Sequence, residues 1–259
     1  MEWYFVNTGF KTGKFNMELD EELAKNYQGI PILRVFGWRP YCISLGYNQN
    51  PEDIDSVYCS EQGIDIVKRP TGGRAILHAE ELTYSVVLDS NGKGIHEIYK
   101  EISMALLRGL RLLGANVEFA KTQPDFGNLY KTKSSIPCFT SSARYEIEYG
   151  GKKLVGSAQR RYDDIVLQHG SILIGHFHKR LPDFLSKKLD TRMKELIKKD
   201  IESKTITLND IMSLEVQFEE VSHFLRLGFE QEYNIKFKEI SIEDLCQLNK
   251  SLKKLLQEQ

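Results

Sequence analysis

Apolar runs rich in β-branched and aromatic residues alternate with stretches of helical spacing through the first two thirds of the chain. Residues 31–38 (PILRVFGW) and 42–45 (CISL) read as short strands. A helical pattern over 52–62 stops at Gly63, and 65–68 is another strand that runs into a glycine-rich turn. Residues 82–88 form a buried strand. The strongest periodicity begins at Gly94, where Ile95, Ile98, Tyr99, Ile102, Leu106, Gly109, Leu110 and Leu113 recur three and four apart until Gly114. That stripe is the core-facing side of a helix packed on a sheet. Strand candidates follow at 116–120, 144–149, 153–159 and 165–174, with a polar loop over 121–136. The pair Gly150-Gly151 supplies a hairpin turn, since glycine takes positive φ without steric cost. Beyond Pro182 the pattern turns helical, at 184–188, 192–199, 208–211 and 216–233. One strand is expected at 235–240, and Ser241 with Asp244 resembles the capped start of a last helix through Leu255. Length alone allows this region to be an appendage or a small second lobe.

Composition narrows the class. The chain has 259 residues, 41% hydrophobic and 27% charged, with 35 basic against 36 acidic side chains. That is enough apolar material for a sizeable core and too little net charge for disorder. A balance of −1 argues against general nucleic-acid binding, which needs excess cations at phosphates. No apolar run approaches the roughly 18 residues of a membrane span, and Met1-Glu2-Trp3-Tyr4 does not open a secretory signal. Cys42, Cys59, Cys138 and Cys246 have no paired spacing, so the expectation is reduced thiols in a cytoplasmic protein. The six histidines do not cluster with cysteines or carboxylates at ligand spacing, so no metal is expected.

Three segments concentrate the candidate chemistry. In the first, Lys68-Arg69-Pro70-Thr71-Gly72-Gly73-Arg74-Ala75-Ile76-Leu77-His78, a strand ends in a basic glycine turn and re-emerges as an apolar strand. Adjacent glycines let backbone N–H groups approach an anion or a carbonyl oxygen. The segment is neither a GxxxxGK[ST] phosphate loop nor a GxGxxG turn opening a helix. In the second, Gly151-Lys152-Lys153-Leu154-Val155-Gly156-Ser157-Ala158-Gln159-Arg160, alternation sets Lys153, Val155, Ser157 and Gln159 on one side and Leu154, Gly156 and Ala158 on the other. The small residues leave space beside a lysine, although a hairpin lysine in solvent fits the same spacing. In the third, Leu167-Gln168-His169-Gly170-Ser171-Ile172-Leu173, a histidine sits before a glycine between apolar runs, as a core or turn residue also would.

In that order the three segments resemble the catalytic domain of the biotin/lipoate protein ligase and octanoyltransferase family, over about residues 1–180. Pro137-Cys138-Phe139, with Ser142 and Tyr145-Glu146, is most similar to its cysteine-dependent octanoyltransferases. The resemblance implies an α/β (α+β) fold, a mixed central sheet flanked by helices and carrying an acyl tunnel; residues 181–259, read from their own helical pattern, are expected to be a mainly helical extension packed on the same domain. It implies catalysis by Cys138 and Lys153, with Arg69, Gly72, Gly73, Arg74, His78, Gly156, Ser157, Ala158, His169 and Gly170 around the substrate. Lys152 is expected to point away.

Two activities compete under that resemblance. In the transferase, the Cys138 thiolate takes octanoate from octanoyl-acyl carrier protein and yields it to a lysine of a lipoyl-carrier protein such as the glycine cleavage H protein, with no cofactor. A free cysteine is mostly thiol at neutral pH and needs a cation beside it, which Lys153, or else His78 or His169, supplies. Backbone N–H groups at Gly72-Gly73 or Gly156 are candidates for holding the oxyanion. In the alternative, an ATP- and Mg²⁺-dependent lipoate-protein ligase, Cys138 has no role. Such ligases carry an Asn-Asp pair where this chain reads Arg144-Tyr145-Glu146-Ile147, which weakens adenylation. Biotin ligation lacks its Gly-Arg-Gly-Arg-x-Gly turn at residues 69–74. Cys42, Cys59 and Cys246 are expected to be packing residues. Lys179, Arg180, Lys187, Lys188, Arg192, Lys194, Lys198 and Lys199 form a locally positive segment suited to an acidic carrier protein or simply to a solvated helix face.

Overall fold

An apolar run buried on both faces opens the chain, and no element had been expected there. In the computed structural model, which describes residues 2–120, 145–248 and 252, this run is β1 (Glu2–Lys11). Trp3 and Phe5 face one core and Tyr4 and Val6 another, so the strand shows the continuous hydrophobicity of a fully covered parallel strand instead of alternation. Helix α1 (Gly13–Lys25) follows, with the Thr12 hydroxyl accepting from the Phe15 N–H. Then come β2 (Ile32–Trp38), β3 (Cys42–Leu45), α2 (Ser56–Glu61), β4 (Asp65–Lys68), β5 (Ile76–His78), β6 (Glu81–Asp89) and α3 (Ile95–Leu112). After β7 (Glu118–Phe119) the description resumes at β8 (Ile147–Tyr149), β9 (Lys152–Lys153), β10 (Val155–Tyr162) and β11 (Ile165–Leu173). Helices α4 (Thr191–Lys204), α5 (Leu208–Met212) and α6 (Phe218–Tyr233), strand β12 (Lys236–Glu239) and helix α7 (Ile242–Leu248) end it.

The main sheet is six-stranded and mixed, in the order β10-β11-β6-β2-β1-β12, with β1 parallel to both neighbours and the other pairs antiparallel. One face is covered by α3 and α6. These helices cross closely at Gly109 and Gly228, where a methyl on either would strike the partner's backbone. The other face carries α1 and a second sheet, β4-β3-β5. A third, β7-β8-β9, lies at one end, and its β8–β9 hairpin turns at Gly150 and Gly151, both with positive φ.

Two expected helices are altered by one contact. The segment 184–188 is not helical; a 3-10 helix spans Phe177–Phe184 and the chain then bridges to Ile54 through Leu185. The Phe184 carbonyl is taken by the Asp55 N–H and the Ser186 N–H by the Asp53 carbonyl, so no helical ladder can form there. The same bridge splits 52–62 into a 3-10 turn, Pro51–Asp53, and the short α2. The strand expected over 153–159 is also broken. Leu154 donates to Ile147 on one side while its carbonyl accepts from Leu173 on the other, and the chain turns a corner from the small sheet into the large one.

Candidate active site

Strand register builds the floor of a cleft. Across β2, β6, β11 and β10 the pairing sets Phe36, Thr83, Ser171 and Gly156 in one row and Arg34, Ser85, His169 and Ala158 in the next. Directly paired residues share a face, and this face looks toward α1 and the second sheet. Both rows end at β10 in small residues, Gly156 and Ala158, while Ser157 turns to the opposite face and bonds the Tyr84 hydroxyl at 2.7 Å. The second sheet supplies Arg69, Ile76 and His78 above, α1 supplies Met17, and Trp38 forms an end wall. The cavity volume is about 20 Å³, room for about one water molecule. It is a nearly closed slot.

Two hydroxyl–imidazole–carboxylate chains bound the slot. Thr71 Oγ1 lies 2.7 Å from Nε2 of His169, whose Nδ1 is 3.0 Å from Oδ2 of Asp20. Asp20 in turn pairs with Arg34 at 2.7 Å and accepts from Ser85. Burial pushes the Asp20 carboxyl up, but the Arg34 charge and the bonds from His169 and Ser85 outweigh it and hold the group below its ordinary range. Burial pushes His169 down, so the ring is neutral, Nδ1–H donates to Asp20 and Nε2 accepts the Thr71 hydroxyl proton. In the second chain, Ser44 Oγ is 2.7 Å from Nε2 of His78, and Nδ1 of His78 is 2.7 Å from Oε1 of Glu81. Glu81 also accepts from Thr83 and Ser171. Despite its burial, the His78 charge and these bonds hold its carboxyl low. The His78 ring stacks on Trp38 at 4.0 Å, and Trp38 Nε1 donates to Thr83. Both imidazoles are thereby fixed on the slot's walls.

Arg69 is a frame for the glycine turn. Its guanidinium donates to the carbonyls of Gly72, Arg74 and Ser44 and to Ser44 Oγ. Gly73 has φ +93°, and its carbonyl oxygen packs so tightly on Gly46 that no Cβ fits there. Arg74 is buried. Lys153 is buried too, while Lys152 is exposed. Lys153 does not line the slot. It precedes Gly156 by three residues, and its Nζ lies 2.6 Å from Oε1 of Glu146. Its backbone is held from the C-terminal side, where Ile206 N–H donates to its carbonyl and Thr205 bridges to it. Gly156, Ala158 and His169 face the slot, and Ser157 and Gly170 border it although the Ser157 side chain turns to the far face.

Cys138, with Pro137, Phe139 and Ser142, lies outside the described residues. The other three cysteines are buried and free. Burial pushes the Cys42 thiol well above its usual value, raises Cys59 to about 11 and raises Cys246, so none is a thiolate at neutral pH. Among the described residues no cluster of His, Cys, Asp and Glu is arranged to hold a metal ion, and no helix is long and apolar enough to cross a membrane. Asp20, Arg34, Ser44, Thr71 and Glu81 had not been anticipated. The one available signal was Arg34, a charge in the middle of an apolar strand.

Residues 12–230 match the family model of the lipoyl protein ligase A/B catalytic domain. The chain belongs to that family. Its relatives include proteins named Octanoyltransferase LipM: that of Geobacillus kaustophilus is 37% identical over 243 residues, 90% of this chain and 87% of the relative. That of Bacillus subtilis is 34% identical over 255 residues, 94% of this chain and 91% of the relative. Among solved structures, a bipartite lipoate protein ligase from Thermoplasma acidophilum superposes with a TM-score of 0.77 at 23% identity, covering 93% of this chain and 88% of that one. A lipoate-protein ligase A bound with ATP gives 0.73 at 23% identity, covering 93% and 90%. At these identities the superpositions establish the α+β lipoyl ligase fold.

Proposed function

We propose that this member of the lipoyl ligase A/B family is an octanoyltransferase of lipoate biosynthesis, moving octanoate from octanoyl-acyl carrier protein through a Cys138 thioester to a lysine of a lipoyl-carrier protein such as the glycine cleavage H protein. The observation that carries this reading is similarity along nine tenths of the chain to octanoyltransferases of the LipM group.

In the first half-reaction Cys138 gives up its proton, its thiolate joins the acyl carbon, and the released carrier thiolate takes that proton up. The second joins the target amine to that carbon, breaks the Cys138 thioester and returns the amine's proton to sulfur. No cofactor enters either step. A tetrahedral oxyanion forms in each, and a fixed donor or cation beside it is worth about 3 kcal/mol. Lys153 is buried and paired with Glu146 just before the slot's strand but does not line the slot, so its role in the reaction rests on its motif. Of the basic segment offered for carrier docking, Lys187 pairs with Asp55, Lys188 with Glu52 and Arg180 with Asp183, all near the surface. Such exposed pairs exchange readily for contacts with an acidic partner.

The reading is tested by supplying octanoyl-acyl carrier protein and the apo H protein without ATP. Octanoylated H protein is the expected product. Lipoylation that requires free lipoate, ATP and Mg²⁺, at a rate indifferent to Cys138, would instead make the protein a ligase.

A further inference from the structure

We propose that Tyr47, Lys68 and Arg160 form the docking patch for the acidic carrier protein that brings the octanoyl group. The identity of the partner rests on the octanoyltransferase reading; the patch itself does not. Tyr47 and Lys68 are exposed and Arg160 is half-buried. The Lys68 Nζ lies 5.4 Å from the centre of the Tyr47 ring, and the Arg160 guanidinium lies 5.2 Å from it and 4.7 Å from the Tyr162 ring. One Arg160 nitrogen also donates to the Pro70 carbonyl at 2.9 Å. Cations laid against rings and a carbonyl are already ordered, so less side-chain entropy is lost when a partner binds. Among the described residues neither cation has a carboxylate in ion-pair reach. In the basic segment, by contrast, Arg180, Lys187 and Lys188 must each give up an acid before they can meet a partner.

The patch adjoins the slot. Alternation along β10 sets Arg160 on the same face as Gly156 and Ala158. The Tyr47 N–H donates to the Thr71 carbonyl at 2.9 Å, and the Thr71 hydroxyl is the one that reaches His169 on the slot wall. Gly72 and Gly73 are exposed beside it, with open space at Gly72. In a chain of net charge −1, two uncompensated cations make a local positive field that draws an acidic protein. Of the two carriers in the reaction, the donor alone presents an anion on its arm, the phosphodiester that joins the arm to the protein. A guanidinium with donors to spare, next to an ammonium, suits that group. Tyrosine and arginine are also the residue types over-represented among interface hot spots.

The test titrates the protein with acyl carrier protein bearing its free thiol, which docks but has nothing to transfer. Lys68→Glu should raise the dissociation constant about tenfold at low salt, and Lys68→Glu with Arg160→Glu should raise it further. Lys238→Glu makes the same change of net charge on β12, at the opposite edge of the main sheet from β10, and should stay within about twofold. The difference between the two single variants should shrink as salt is added. Equal effects of Lys68→Glu and Lys238→Glu overturn the proposal, as does a loss seen only when apo H protein is titrated instead. The Lys68 variant decides even if the double variant does not fold. Octanoyl transfer by Lys68→Glu with the wild-type dependence on donor concentration would refute the docking patch and leave the function standing. Carrier binding that needs Lys68, in a protein that transfers no octanoate, would refute the function and leave the patch.

Discussion

Arg34 is the perturbation whose cost the structure fixes most closely. Its side chain is fully buried, and it donates to Thr8 Oγ1, to the Asn16 carbonyl and Oδ1, and to Asp20 Oδ1, with the guanidinium 3.8 Å over the Phe36 ring. Arg34→Met fills much of the same volume but strands the Asp20 carboxylate in the interior with only Ser85 and His169 as partners. Removing one member of a buried ion pair costs about 3–5 kcal/mol, most of it for the charge left behind. Asp20→Asn alone strands the guanidinium and should cost a similar amount. The double variant leaves no charge uncompensated, and Asn at position 20 still reaches Ser85 and His169. It should therefore lose about 2 kcal/mol or more less than the sum of the singles, within the range expected of contacting residues. The assay is urea unfolding at pH 7 with the slope of the transition unchanged. Additive losses would refute the reasoning, for they would mean that the pair is a set of independent contacts and that neither charge depends on the other.

Stability on the acid side should track the buried histidines. Burial holds His178 down at about 4, so the unfolded chain binds its proton first as pH falls from its ordinary value near 6.5. The contribution is fully present above 6.5 and lost progressively toward 4, up to about 3 kcal/mol; His178→Asn should flatten urea midpoints across that window, and an unchanged slope would contradict the assignment. Gly46→Ala should cost about 1–3 kcal/mol in thermal or urea melts, because the new methyl meets the Gly73 carbonyl. Gly72→Ala, with open space at its Cβ, should cost less than 1 kcal/mol; equal costs would mean that the turn shifts freely.

Legibility in the sequence followed from how local the cause was. The periodic stripe from Gly94 located α3, which starts at Ile95, and the Gly150-Gly151 signal gave the β8–β9 hairpin because both rest on contacts within a few residues. Strand β1 was missed because an apolar run covered on both faces has no alternation to detect. The altered helices at 52–62 and 184–188 depend on the bridge between Ile54 and Leu185, more than a hundred residues apart in sequence. The site divides the same way. Gly156, Ala158 and His169, which border the slot, were named from motifs carried on single strands. Asp20, Ser44, Thr71 and Glu81 act through hydrogen bonds between distant segments, and Glu146 is tied to Lys153 only once the hairpin closes.

The most direct measurement is the intact mass of the protein after brief incubation with octanoyl-acyl carrier protein in the absence of ATP and acceptor. One octanoyl group should be bound per chain, released by hydroxylamine, absent from Cys138→Ser and discharged on adding the apo H protein. An unmodified mass in an enzyme that still octanoylates the H protein, or a full adduct on Cys138→Ser, would contradict the account.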